Sequence, residues 1–441
     1  MNGKARFLDP LYGRITLSHL ETEIAFSPEM QRLRYIRLCN INSLMVVGAS
    51  EVNRFEHAIG VLRLANDWLD AHRIPGVDAN DFRAAALLHD FQTGPFGHSI
   101  QYVLEDSRID GGFEHEDVEK GRQRRYYQDI TANASFAGLP FRAAEICRDR
   151  WKHVSDLIRG EGKLGSLISG TIDLDNIDNV VRLAYHTGIT EEPDAGVARD
   201  LARDIFPSPE GLQVSGPTVP KIERWQQIRR RLYELLLLDW AEFSGKAMLT
   251  RAFEDAVRYG LVGADSWRLT DEELMNVCEH GSVGEAQSVK NLAWRLRTGN
   301  LYSPVVLLRT PAVDLYSKIT RMETKRELEK EIRDSVYGKK TGRAILVHPI
   351  LDWKKTDRSV DVLVRETSRR LTVGTDSKTL LLGVFSSARA SSGKEQTHLR
   401  DAAIRALQRF GFSELKDLID PMDESSKDGS TSNEGQMAIF R

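Results

Sequence analysis

The chain has 441 residues, of which 41% are hydrophobic and 28% charged, and its formal net charge is −3 at pH 7. That describes a globular chain long enough for two or three domains, with no overall attraction for long nucleic acid or an anionic membrane. Cys39, Cys147 and Cys278 have no CxxC spacing, which argues against a disulfide framework or a thiolate zinc site. Met1 to Arg6 lack an apolar signal core and no apolar run is long enough to cross a bilayer, so a cytoplasmic protein with no membrane partner is expected.

Helical periodicity dominates from Pro28 to about Asn300. Phe55, Ala58, Ile59, Leu62, Ala65 and Leu69 recur at intervals of three and four, which predicts an amphipathic helix with His57 at the edge of its apolar stripe. Pro75-Gly76 ends that helix, and Asp78 or Asn80 is expected to cap the next, whose apolar run Ala84 to Leu88 closes on His89 and Asp90. Further helices are predicted over 141–150, 154–159, 172–185, 222–239 and 245–257. After Leu301 short β-rich runs appear at 304–308, 343–347, 360–364 and 380–385, with helices at 321–336 and 396–410 between and after them. The fold class expected is mainly α: a helical bundle over 1–300 and an α+β region over 301–420. Residues 421–441 are rich in Ser, Asp, Glu, Gly and Asn and are expected to form a disordered tail.

His57 and the adjacent His89-Asp90 carry most of the functional information. An imidazole and a carboxylate closing a buried helix are costly unless paired or bound to a metal. Two neighbouring helices would thus deliver two imidazoles and one carboxylate, a set that suits one divalent Fe, Mn, Zn, Co or Ni ion, with Mg less favoured. A fourth ligand is expected from the segment 170–178. Asp175 is the preferred candidate there, and Asp173 and Asp178 are read as exposed helix-start carboxylates. Arg54 lies one turn before His57. Its guanidinium suits a phosphate held at the ion, and the plainer reading is a surface ion pair with Glu56 or Glu51.

The run Asn53-Arg54-Phe55-Glu56-His57-Ala58-Ile59-Gly60-Val61, followed by Ala86-Leu87-Leu88-His89-Asp90 and Gly94-Pro95-Phe96-Gly97-His98, resembles the HD-domain deoxynucleoside triphosphate triphosphohydrolases. Asp9-Pro10-Leu11-Tyr12-Gly13, Gln31 to Ile36 and Ile172-Asp173-Leu174-Asp175 are similar to further segments of that family, so the likeness covers roughly residues 7–260. The resemblance implies an HD-domain helical bundle with His57, His89, Asp90 and Asp175 as metal ligands. It places His98 and His115 where the family has active-site histidines that position water or protonate the leaving oxygen. It also implies hydrolysis of a dNTP to deoxynucleoside and triphosphate, homo-oligomers with a nucleotide effector site, and a role in dNTP control or antiviral defence.

The chain departs from the family around the ion. Phe91-Gln92-Thr93 stands where the family has Gly-His, so Thr93 replaces a histidine, and Gln101 replaces an aspartate. Asn176, Asn179 and Leu183 take the places of a phosphate-binding lysine, a tyrosine and a sugar-contacting aspartate, and Tyr233 and Leu237 replace a His and Tyr pair. These changes spare the ligands and alter substrate recognition. Two other functions are therefore carried forward: a phosphodiesterase or nuclease acting on cyclic nucleotides or single-stranded nucleic acid, and a weakly active nucleotide-sensing module. The clusters Arg122 to Arg125, beside Tyr126-Tyr127, and Arg229 to Arg231 suit a nucleotide effector, a short single strand or an acidic protein partner, with a solvated helix face as the plainer reading. Gly338 to Gly342 is read as a hairpin turn rather than a phosphate loop.

Overall fold

A computed structural model describes residues 4–39, 46–97, 99, 103, 115–116, 142–190, 194–281, 286–339, 341–351, 359–374 and 378–418. The expected tail, the first arginine cluster and His98 lie outside these residues. Helices predominate up to Arg297, and strands concentrate after Leu301. Among the described residues, no helix is long and apolar enough to cross a membrane.

The helix Arg54–His72 forms as the periodicity predicts. Asn53 caps it by accepting the Glu56 N–H, the six stripe residues are buried, and Arg73 ends it in the left-handed region at φ 53°. The next helix, Val77–Leu88, begins differently from expectation: Gly76, at φ 86°, is its N-cap, and Asp78 falls inside the first turn. Asp78 instead faces Arg150, whose guanidinium is 3.5 Å away. The predicted helices at 172–185, 222–239 and 245–257 appear as Leu174–His186, Val219–Leu238 and Trp240–Arg258. That predicted at 141–150 closes in a 3-10 turn after Cys147, and Trp151–Ile158 follows directly.

Two hairpins were not foreseen. Strands β1 (Arg6–Asp9) and β2 (Gly13–Thr16) pair antiparallel across a turn in which Asp9 Oδ1 accepts the N–H groups of Leu11 and Tyr12 at 2.9 and 2.8 Å. Strands β3 (Phe206–Ser208) and β4 (Gly211–Val214) form the second. They are too short to show a period among helical neighbours.

The C-terminal β-runs are all strands, but they divide between two sheets. Strands β5 (Ser303–Thr310), β6 (Ile345–Leu351) and β9 (Leu380–Ser386), with the short β10 (Lys416–Asp417), make an antiparallel sheet in the order β10-β5-β9-β6. Strands β7 (Val360–Val364) and β8 (Arg369–Val373) join the second hairpin instead, in the order β3-β4-β7-β8, with β4 and β7 parallel. One sheet thus spans both regions. The helices Met322–Tyr337 and Gly393–Phe410 pack on the first sheet through Leu328, Ile332, Leu399, Ala403 and Leu407, all buried in its apolar cluster. The helix Trp240–Arg258 reaches the same sheet, and its Arg251 holds both carboxylate oxygens of Glu329 at 2.8 and 2.6 Å. Gly338 ends a helix at φ 73°, so the segment after it links a helix to β6 and is not a hairpin.

The second arginine cluster is a solvated face at two of its three positions. Arg229 is buried with its guanidinium over the Tyr233 ring, 4.9 Å from the centroid, while Arg230 and Arg231 are exposed.

Candidate metal centre

Three elements converge on one point. His57 lies in the first turn of Arg54–His72, His89 and Asp90 follow Val77–Leu88, and Asp175 lies in the first turn of Leu174–His186, capped by Asp173. The two Nε2 atoms of His57 and His89 are 3.2 Å apart. Asp175 Oδ1 lies 2.8 Å from His57 Nε2 and 3.7 Å from His89 Nε2, and Asp90 Oδ2 lies 3.9 and 3.6 Å from the same atoms. Ligand atoms bonded to one ion at about 2.0–2.2 Å sit roughly 3.0–3.5 Å from one another, so these spacings approach those of a single coordination sphere.

Both imidazoles are oriented by their other nitrogen. His89 Nδ1 donates to the Ala86 carbonyl at 2.9 Å, and His57 Nδ1 donates to Asp178 Oδ2 at 2.7 Å. Each Nε2 is thereby aimed inward. Two nitrogens and two carboxylate oxygens facing one small volume form a donor set for a divalent cation, and His57, His89 and Asp90 are buried around it. The residues present fit such an ion.

The electrostatics show how strongly the centre calls for positive charge. Burial would lower the His57 pKa, but hydrogen bonds to Asp175 and Asp178 raise it to about 9. Burial also opposes ionisation of Asp90 and Asp175. Arg54 and His89 overcome it at Asp90, and His57 and His89 at Asp175, holding both carboxyls well below the usual range. Asp173 behaves oppositely: burial and the neighbouring Asp175 charge push it up to about 7, although it accepts the N–H groups of Gly170 and Asn176.

Asp178 and Asp173 are not the exposed helix-start carboxylates expected, since both are buried. Asp178 links His57 to Arg182, whose Nε and Nη2 donate to it at 2.9 and 3.0 Å. Arg182 also pairs with Asp9 at 3.0 Å and with Glu56 at 2.6 Å, and Glu56 meets His186 at 2.9 Å. The sequence signal for this group was present: Asp175, Asp178 and Arg182 follow at steps of three and four on one helix face. Gly60 on the facing helix admits it, because a Cβ there would collide with the Arg182 guanidinium and the Asp178 carboxylate.

Arg54 is not a surface residue paired with Glu51 or Glu56. It is buried, and its Nη1 lies 2.5 Å from Asp90 Oδ2. The other Asp90 oxygen, Oδ1, accepts the Thr93 hydroxyl at 2.7 Å. Thr93 therefore fixes the orientation of the Asp90 carboxylate. Arg32 holds the loop beyond, donating to the carbonyls of Phe91 and Thr93 at 3.1 and 2.6 Å and to those of Trp267 and Leu269 at 3.1 Å each. His115 is largely shielded, with Glu116 Oε1 4.0 Å from its Nε2. Burial, aided by the charges of Arg54 and His89 and opposed by Asp90 and Asp175, lowers its pKa to about 4. Asn176 does not face a ligand freely, because its amide donates to Asp173 at 3.0 Å.

Residues 54–130, which contain His57, His89 and Asp90, match the HD domain family. The deoxynucleoside triphosphate triphosphohydrolase SAMHD1 of Xenopus laevis is 42% identical over 99 residues, 21% of this chain and 16% of that protein. That of Gallus gallus is 28% identical over 221 residues, 43% of this chain and 35% of that protein. The uncharacterized protein YwfO of Bacillus subtilis is 30% identical over 194 residues, 42% of this chain and 40% of that protein. The matches thus span less than half the length of each of these relatives.

Proposed function

We propose that this chain is a metal-dependent phosphohydrolase that cleaves a deoxynucleoside triphosphate to deoxynucleoside and triphosphate. The observation that carries the reading is the convergence of the two imidazole Nε2 atoms, 3.2 Å apart, with Asp175 Oδ1 and Asp90 Oδ2 around one point. His57, His89, Asp90 and Asp175 would hold one divalent ion there. When bound, that ion supplies Lewis acidity toward a phosphoryl oxygen and lowers the pKa of water. The triphosphate leaving group is supported by the relatives whose names describe triphosphohydrolases.

The chain's own residues supply the rest. Asp178 and the Ala86 carbonyl keep both Nε2 atoms directed inward, and the Thr93 hydroxyl fixes one oxygen of Asp90. Arg54 places a guanidinium beside the centre, where it complements anionic phosphate oxygens. His115, with its pKa lowered to about 4, is neutral near pH 7, which suits it to accept a proton from water rather than to donate one. His98 is retained as the partner that protonates the departing oxygen. A cavity of about 540 Å³ bordered by Arg34, Tyr35, Arg37, Asn53, Phe96 and Arg297 has room for a nucleotide effector.

The test is product analysis of manganese-loaded protein with dNTPs, NTPs, cyclic nucleotides and short oligonucleotides. Inorganic triphosphate and a deoxynucleoside are expected from a dNTP. Mononucleotides from a cyclic nucleotide or an oligonucleotide would replace this reading with a phosphodiesterase. Tight nucleotide binding with no product from any substrate would replace it with a sensing module.

A further inference from the structure

We infer that Asp9, in the turn of the N-terminal hairpin, is a positioning residue for the metal ligand His57 and acts on it through Arg182 and Asp178. The inference rests on the metal centre proposed above and extends its support to a segment distant in sequence.

The connection is continuous and buried. Strand β1 ends at Asp9, whose Oδ1 is committed to the turn by the Leu11 and Tyr12 N–H groups, and its Oδ2 meets Arg182 Nη2 at 3.0 Å. The same Nη2 donates to Asp178 Oδ1 at 3.0 Å, and Arg182 Nε donates to Asp178 Oδ2 at 2.9 Å. That Oδ2 is also the oxygen that accepts the His57 Nδ1 proton at 2.7 Å. Arg182, Asp178 and His57 have fully buried side chains and that of Asp9 is 2% exposed, so water screens these contacts little. Glu56 takes the remaining corner of the guanidinium, Nη1, at 2.6 Å, and the Tyr12 ring lies against it, 5.5 Å from centroid to guanidinium carbon. The fork is planar and rigid, so holding it at the hairpin sets the direction in which it meets Asp178.

Two effects on His57 follow. The first is geometric: the partner at Nδ1 fixes the imidazole tautomer and the aim of Nε2, and Asp178 Oδ2 can hold that partner's place only as steadily as Arg182 holds Asp178. The second is electrostatic. Asp9 and Glu56 offset the Arg182 charge, which leaves Asp178 with negative charge to make the imidazole a stronger ligand. Without the Asp9 charge, the guanidinium is drawn further toward Asp178 and Glu56, and both effects weaken. An anchor that merely held the hairpin would change stability and leave the ligand as it was.

The experiment measures Mn²⁺ affinity of chelator-stripped full-length protein by calorimetry and the visible absorption of the Co²⁺-loaded protein, whose bands report ligand geometry. Asp9→Asn keeps an oxygen for the turn and removes the charge facing Arg182. It should weaken Mn²⁺ binding by about 3–10-fold, a step below the loss expected when the direct partner of a ligating histidine is removed, and it should shift the Co²⁺ bands. Arg182→Lys keeps the charge, but one ammonium cannot span three carboxylates, so it should weaken binding at least as much. An influence of charge alone would leave Arg182→Lys native-like. Asp67→Asn is the control, because Asp67 is a buried acid paired with Arg199 and lies about 15 Å further along the helix that carries His57. It should lose stability yet keep the wild-type Co²⁺ spectrum and bind Mn²⁺ within about twofold of the wild type. Native-like affinity and spectrum in Asp9→Asn overturn the inference, as do a native-like Arg182→Lys or equal weakening in Asp67→Asn; if Arg182→Lys does not fold, Asp9→Asn decides alone. His89→Ala separates the two readings. Where the wild type binds Mn²⁺ and His89→Ala does not, a native-like Asp9→Asn refutes this inference only, and a wild type that binds no ion refutes the metal centre and the inference with it.

Discussion

Replacing Asp178 by Asn tests whether the residues behind the metal centre control it. Asp178 is fully buried and accepts three hydrogen bonds, one from His57 Nδ1 at 2.7 Å and two from Arg182 at 2.9 and 3.0 Å. The isosteric amide retains an oxygen for His57 but removes the negative charge that makes the imidazole a stronger ligand. Loss of such an outer partner typically costs 10–100-fold in metal affinity, about 1.4–2.7 kcal/mol. Folding suffers separately. Arg182 keeps Asp9 at 3.0 Å and Glu56 at 2.6 Å, so its charge stays compensated and the loss should fall at the low end of the range for a broken buried pair, about 3 kcal/mol. Asp178→Ala, which also leaves a cavity, should cost more. Mn²⁺ calorimetry and chemical unfolding of the ion-free protein measure the two effects independently. Native-like Mn²⁺ affinity in a destabilised Asp178→Asn would make Asp178 purely structural and refute the reasoning.

Gly60→Ala should destabilise the protein by about 1–3 kcal/mol, since its Cβ would meet Arg182 and Asp178 in a packed interior, and thermal unfolding would show it. Arg32→Ala should cost about 3 kcal/mol or more by removing the donor to four loop carbonyls. Arg32→Lys should restore little, because an ammonium cannot span them, and unfolding midpoints of the two variants decide the point. Asp67 is buried and joined to Arg199 at 2.7 and 3.1 Å, and although burial opposes it, Arg199 and Arg63 lower its pKa below the ordinary 3.8. A folded pKa below the unfolded one contributes stability above about pH 4 that is lost as the pH falls through the folded value. Wild type should therefore exceed Asp67→Asn by a constant margin of about 1–2 kcal/mol between pH 7 and 5, and the margin should shrink below pH 4, as denaturant titrations would record.

The helices were legible because their apolar residues recur at 3.6-residue intervals over many turns, as in the stripe from Phe55 to Leu69. The β-runs after Leu301 were legible from their Val, Ile and Leu content, but their partners were not. Nothing local tells 360–364 to leave its neighbours and pair with Gly211–Val214, since strand pairing is decided by what the whole chain can bury. Gly76 was missed as a cap because Asp and Asn are the stronger caps by propensity, while the turn after Pro75 required a positive φ. Near the centre, residue type told which side chains belong to a metal site but not which carboxylates are buried. Asp178 resembled any first-turn acid until Arg182, one turn later, was seen to turn inward with it. Arg54 left both a phosphate contact and a surface ion pair open for the same reason: a lone arginine gives no hint that Asp90, 36 positions away, lies within reach.

The central claim is that His57, His89, Asp90 and Asp175 together hold one divalent ion. Anomalous diffraction from crystals grown with Mn²⁺ tests it most directly. The account predicts a single strong peak about 2.0–2.3 Å from both Nε2 atoms and from an oxygen of each aspartate. A fully loaded protein with no peak at this point, or with its peak elsewhere, would contradict it.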